Sequence, residues 1–221
     1  MSAEDVTRAK KKNKKGLRSG YTTGACAAAA AKAAALFLSS GRPPAAVDIP
    51  FPDGSRHRFS LARVARMCAP NGAVRYQAVV VKDAGDDPDV TNGAAIVATV
   101  WPVALPPSDG VILADHRLVL LGGEGVGRVT KPGLAVAVGE PAINPGPRRM
   151  IVQALRECRQ PSDDGWLAVE ISVPRGAELA ARTLNHRLGI VGGLSILGTT
   201  GIVRPVSAAA WKATIVASMD V

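Results

Sequence analysis

Two glutamates are the clearest acid–base candidates: Glu124, inside Gly122-Gly123-Glu124-Gly125-Val126-Gly127, and Glu140, inside Gly139-Glu140-Pro141. A carboxylate carried on a glycine loop can be held against a bound molecule and tuned by burial. Cations stand beside similar loops. Lys82 opens the polar run from 82 to 89, Lys131 follows the Gly122 loop, and Arg148 and Arg149 follow the loop from Gly139 to Pro147. Successive backbone amides in such loops form anion-binding concavities, to which the flanking cations add charge. For any one of these loops taken alone, an ordinary tight turn with charged flanks is the plainer reading.

Other chemistry is weakly supported or excluded. Asp83, Asp86, Asp87 and Asp89 are numerous enough to hold a hard divalent cation, but a solvated turn or salt bridges to the many arginines accounts for them more simply, and no metal is expected. Cys26 falls in the first turn of an expected helix, where a thiol's pKa can drop; a buried small-residue role is preferred. Cys26, Cys68 and Cys158 are far apart and lack Cys-x-x-Cys spacing, so neither a disulfide framework nor a zinc site is expected. The Gly122 loop has Gly-x-Gly-x-Gly spacing rather than Gly-x-Gly-x-x-Gly, and Pro132-Gly133 interrupts any following helix, which argues against a dinucleotide fold. The dipeptide Gly-Lys is absent, and each histidine is followed by arginine, so phosphate-loop and zincin signatures are missing.

The elements that must position these residues are readable in outline. Thr22 or Thr23 can cap an Ala-rich helix from Gly24 to Leu38, closed by Gly41-Arg42-Pro43-Pro44. Strand-like runs follow at Val47–Phe51, Arg56–Leu61, Val74–Val81, Ala94–Val103 and Leu118–Leu121, with Pro50-Phe51-Pro52-Asp53-Gly54 as a hairpin turn. A helix is expected from Arg148 to Arg159, after Pro145-Gly146-Pro147, then a strand at Trp166–Val173, a helix at Ala177–Leu188, a strand at Ile190–Leu197 and a helix from Ser207. The class is α+β: a mixed sheet with packing helices, followed by the start of a second α/β unit. The division expected is a disordered basic arm over 1–16, an α+β domain over 17–190 and the opening of a second unit over 191–221.

With 47% hydrophobic and 20% charged residues the chain has a globular balance, and aromatics at 4% imply an aliphatic core. The net charge is +9, of which the first twenty residues supply a surplus of five. A basic-arm nucleic-acid binder is the competing function class, set aside because aromatic stacking platforms and a nucleic-acid motif are lacking. No uncharged run reaches a bilayer span, so no membrane is expected, and three scattered cysteines suit a reducing cytoplasm.

Five segments resemble the cobalt-precorrin-5B C(1)-methyltransferase family: Leu17-Arg18-Ser19-Gly20-Tyr21-Thr22-Thr23-Gly24 with the alanines after it, Val81 to Thr91, Gly122 to Leu134, Gly139 to Pro145, and Gly193 to Val203. The resemblance implies S-adenosylmethionine-dependent methylation of C-1 of a polyanionic corrin precursor, with cobalt carried only by the substrate. It places Arg18, Tyr21, Thr22, Thr23, Lys82, Asp86, Lys131, Asn144 and Arg148 on the substrate. Glu124, Glu140 and Asp83 become the catalytic carboxylates, and Gly198, Thr199, Thr200 and Gly201 the cofactor loop. Family members continue past the helix starting at Ser207, so a corrin-binding fragment without catalysis is the alternative. A homo-oligomer is left open.

Overall fold

The computed structural model describes residues 16–70, 72–113, 117–159 and 165–205. The basic arm as far as residue 15 and the helix expected from Ser207 lie outside the described residues. The chain opens with β1 (Gly20–Tyr21), α1 (Thr23–Ser40), β2 (Ala46–Pro50), β3 (Arg56–Ser60), β4 (Arg63–Cys68), β5 (Val74–Val81) and β6 (Ala95–Val103). There follow β7 (Val111–Leu113), β8 (Leu118–Gly122), β9 (Arg128–Val129), α2 (Pro145–Arg156), β10 (Trp166–Ser172), α3 (Gly176–Ala180), β11 (Ile190–Val191) and β12 (Ile202–Val203).

Alanine makes α1 the centre of the fold. Alanine has the highest helix propensity and no bulk to keep neighbours away, and Ala25 through Ala34 are all fully buried apart from the partly exposed tip of Lys32. Thr22 caps the helix, its Oγ1 accepting from the Ala25 amide at 3.1 Å, and Gly41 closes it at φ 67° with its amide donating to Phe37 O. The helix is long and apolar enough to cross a membrane, but 72% of that span is buried inside the protein, the condition of a core helix.

Six strands form a mixed sheet in the order β4-β5-β6-β10-β8-β7. All neighbours are antiparallel except β10 and β8, which run parallel from Leu167 opposite Leu118 because α2 carries the chain from one to the other. One sheet face, bearing Ala78, Val80, Ala98, Leu120 and Val169, packs on α1, and α2 lies along α1 with Met150, Ile151, Ala154 and Leu155 in the same core. The other face carries a smaller cluster of Trp101, Val119, Leu121 and Ala168, with the Arg75 guanidinium 4.0 Å above the Trp101 ring.

Within the helical layer, Lys32 ties three elements together. Its ammonium donates to Asp48 O of β2 at 2.7 Å and pairs with Glu157, just beyond α2, which Arg56 of β3 also grips at 2.7 and 2.8 Å. A lysine in an all-alanine surface is tolerated because the charge is paired and hydrogen-bonded. Arg56 above all, with Lys32, pulls the Glu157 carboxyl down to about 2 against the opposing effect of burial.

The α+β class agrees with the sequence, and several boundaries do not. The expected helix 177–188 is only Gly176–Ala180. Beyond it Thr183 Oγ1 donates to Ala180 O, and buried Asn185 donates to Gly193 O and accepts from Ser195, so side chains satisfy the backbone in a loop. The expected strand 190–197 stops at Val191 because Gly192 turns at φ 85° and a Cβ on Gly193 would lie 2.2 Å from Gly125 O. Pro145-Gly146-Pro147, expected before a helix, forms the first turn of α2, where a missing amide costs nothing. At the start of the span 191–221, Leu194 and Ile196 lie in the main core and β12 pairs with β1.

The Lys32 network sets an acid limb. A carboxyl whose folded pKa is depressed from 4.5 to about 2 adds stability that is complete above the higher value and is lost as pH falls toward the lower. Glu157→Gln should lower the urea midpoint at pH 6 and flatten its decline between about pH 4.5 and 2. An unchanged acid limb in the variant would contradict this account.

Candidate functional site

Four of the five family-like segments meet at the N-terminal ends of α1 and α2. Arg18 clamps Asp83 through two hydrogen bonds of 2.5 and 2.7 Å, and its amide donates to Asp86 Oδ2 at 2.5 Å. The Tyr21 amide donates to Asp83 O, and a Cβ on Gly20 would sit 2.0 Å from the backbone of Ala84, so the 17–24 and 82–91 segments touch main chain to main chain. Lys82 is buried and pairs with Asp89 at 2.7 Å. Burial alone pushes the Asp89 carboxyl up, but hydrogen bonds from Lys82 and Thr91 hold it below the usual range. The aspartates therefore serve arginine, lysine and backbone donors, and among the described residues no cluster suited to a metal exists.

From the other side comes the segment 194–203. The Thr22 amide donates to Gly201 O at 3.0 Å, the Gly24 amide donates to Leu197 O at 3.0 Å, and Thr23 Oγ1 exchanges hydrogen bonds with both backbone groups of Leu197. Gly198 stands at φ 127° with the Thr22 side chain filling the place of its absent Cβ. Thr199 and Thr200 are exposed on this loop, and Thr200 Oγ1 folds back onto Ile202. The same loop reaches α2: a Cβ on Gly146 would lie 2.6 Å from Gly198 O, and one on Gly24 would meet Pro147. Asn144, at the α2 N-cap, donates its amide to Ile196 O and makes no side-chain capping bond.

Arg148, one turn into α2, donates to Ile143 O at 2.6 Å and to Glu140 Oε2 at 2.7 Å. Glu140 is thus an ion-paired carboxylate in this arrangement, as Asp83 is with Arg18. Glu124 and Lys131 have other neighbours. Glu124 is exposed in the turn after β8, its carbonyl accepting from the Val173 amide, and exposed Lys131 rests its stem against Gly189. Cys26 is buried, and burial pushes its thiol up to about 12. A hollow of about 230 Å³ lies at the opposite end of α1, lined by Ala35, Leu38, Cys158 and Trp166. It is roughly 20 Å along the helix from Thr23 at 1.5 Å per residue, and burial pushes its one thiol, Cys158, up to about 11. The convergent polar loops, rather than this apolar hollow, make the better candidate site.

One group of neighbours escaped the sequence reading. The β2–β3 hairpin places Phe51, His57 and Phe59 around Tyr21, with ring centroids 6.1, 5.6 and 4.5 Å from it. The strand alternation that sets His57 and Phe59 on one face was readable in the sequence; what it faces was not. The closest backbone approach predicts the most fragile position. Gly20→Ala should cost about 3 kcal/mol or more by overpacking, seen as a large fall in urea midpoint, and a loss below about 1 kcal/mol would show that the two segments separate readily.

The chain matches the CbiD family over residues 10–205. A cobalt-precorrin-5B C(1)-methyltransferase of Desulfotalea psychrophila is 58% identical over 94% of this chain and 55% of the relative. Relatives of the same name from Salinispora arenicola and Geobacter metallireducens are 54% and 53% identical, over 98% and 95% of this chain. The crystal structure of the cobalamin biosynthesis protein CbiD from Archaeoglobus fulgidus is similar at TM-score 0.60 and 32% identity, covering 92% of this chain and 60% of that one. The chain spans about half the length of the curated relatives it matches. On these matches and on the motif loops gathered at the head of α1, this chain belongs to the CbiD family.

Proposed function

We propose that this chain forms the corrin-facing part of an S-adenosylmethionine-dependent methyltransferase that acts on C-1 of cobalt-precorrin-5B in cytoplasmic, anaerobic cobalamin synthesis. The observation that carries the reading is the convergence of the Arg18–Thr23, Lys82–Asp89, Asn144–Arg148 and Gly198–Gly201 segments on two helix N-termini. Helix N-termini favour negative charge, and the substrate class carries many carboxylates. Arg18 holds the Asp83 carboxylate and Arg148 the Glu140 carboxylate, positions that a substrate carboxylate can take. Exposed Lys131 and Arg149 add charge at longer range.

Thr199 and Thr200 remain the proposed cofactor loop with the flanking glycines, since the two threonines are exposed beside the α1 head while Gly198 and Gly201 hold the loop against it. Methyl transfer from a sulfonium to a nucleophilic carbon needs chiefly alignment and exclusion of water, and a rigid, backbone-knit scaffold supplies alignment. S-adenosylmethionine contributes the activated methyl group; this chain's part is to hold and orient the ring. A second reading, a corrin-binding part that does not itself transfer methyl, is favoured by the half-length match.

An anaerobic assay with the corrin precursor and methyl-labelled S-adenosylmethionine tests both readings, run on this chain and on one extended to the length of its relatives. Labelled corrin is expected from the longer form, with kcat/KM falling about tenfold or more on Arg18→Ala through loss of a charge-assisted pair. Label from both forms would place the whole catalytic site here, and label from the longer form alone would favour the binding reading. Label from neither would remove the proposal.

A further inference from the structure

We propose that Tyr21, His57, Ser55 and Asp53 form a proton-accepting relay that serves methyl transfer at the head of α1, a role that rests on the function proposed above. The Tyr21 hydroxyl lies 3.4 Å from His57 Nδ1, His57 Nε2 lies 3.0 Å from Ser55 Oγ, and Ser55 Oγ donates to Asp53 Oδ1 at 2.5 Å. A hydroxyl has one proton to give. Ser55 spends its own on Asp53, so its oxygen faces Nε2 as an acceptor and Nε2 must carry the imidazole proton. Nδ1 then presents its lone pair to Tyr21. Asp53 stays ionised, its carboxyl held below the usual range first by the Ser55 hydroxyl and then by the Ser55 amide. The Tyr21 contact is long for a hydrogen bond, as such contacts are before substrate tightens them.

Placement supports the role. The Tyr21 amide is bonded to Asp83 O, and the Phe51 ring, 4.2 Å from the His57 ring, fills the space where Gly201 would carry a Cβ. Tyr21 therefore touches the segment after β5, and Phe51, beside His57, touches the proposed cofactor loop. Tyr21 and His57 are both half-buried, packed by phenylalanine yet reachable. Arg56 and Arg58 point to the other hairpin face, toward Glu157 and Asp48, and the β2 residue opposite His57 is Ile49. Among the described residues, Tyr21 and Asp53 are titratable groups turned toward His57.

In the transfer, a ring carbon gives its electron pair to the methyl carbon, the sulfur–methyl bond breaks, and that pair stays on sulfur as a neutral thioether. The ring has gained a methyl cation and reaches its product by releasing one proton. That proton goes to the Tyr21 oxygen while the phenolic proton moves to His57 Nδ1, leaving an imidazolium steadied through Ser55 by Asp53. Solvent then removes it. Tyr21 is the catalytic residue, and His57, Ser55 and Asp53 act through it.

Two measurements decide the matter. Imidazole 15N shifts of this chain near pH 8 should show His57 with its proton on Nε2, and Ser55→Ala should mix the two tautomers. In the form that transfers methyl, His57→Gln and Tyr21→Phe should each lower kcat between about tenfold and a hundredfold with KM within about twofold, and His57→Gln should erase the acidic limb of the pH–kcat profile. A proton on Nδ1, or a His57→Gln enzyme that keeps its rate and its acidic limb, would overturn the relay. Absence of methyl transfer by the wild-type chain at its relatives' full length, with the Nε2 tautomer intact, would instead overturn the proposed function and the relay's role with it.

Discussion

The structure depends on main chain meeting main chain without side chains between. At the head of α1 the 17–24, 82–91 and 194–203 segments approach so closely that Gly20, Gly85 and Gly146 have no room for a Cβ against neighbouring backbone. Backbone amides of Tyr21, Thr22 and Gly24 are all satisfied by carbonyls from distant segments, which is how a loop cluster avoids unpaired buried donors. Thr22 and Thr23 complete the knot, one capping its own helix and the other completing the backbone pairing of Leu197. Every site residue on these segments takes its position from that knot.

The same preference for small surfaces runs through the core. A helix of alanine lets a sheet and a second helix lie close on its sides, so the hydrophobic interior is built from many short contacts rather than from large interlocking side chains. The cost is that such a surface has little shape of its own to fix rotation or register. Lys32, anchored to Asp48 O, Glu157 and through it Arg56, supplies a directional bond where the packing is smooth. A buried ion pair is weak evidence for net stability, and a directional anchor is the role its geometry gives Lys32.

How much was legible follows from what each signal measures. Capping chemistry and periodicity found α1, α2 and the central strands because those are local properties. The strand β4, Arg63-Val64-Ala65-Arg66-Met67-Cys68, was missed because it is an exposed edge whose residues need not be apolar, and the three-residue β7 was too short to show a pattern. Leu184 and Leu188 mimic an amphipathic helix, yet both are exposed in a loop held by Asn185. At the site, motif resemblance found the loops, but nothing local could show that Asp83 and Glu140 are committed to Arg18 and Arg148 or that a hairpin histidine stands beside Tyr21.

The clasp between the head of α1 and the 194–203 segment also has a meaning in time. Thr23 and Leu197 are 174 residues apart in sequence, and contacts of such separation slow folding because the loop between them must close first. On a ribosome adding about 5–20 residues per second, the first turn of α1 waits on the order of ten seconds or more for the segment that satisfies its backbone. Among the described residues, the long apolar helix α1 is therefore made early and finished late. During that interval its apolar surface can be covered only by the elements already made, until the 194–203 segment arrives.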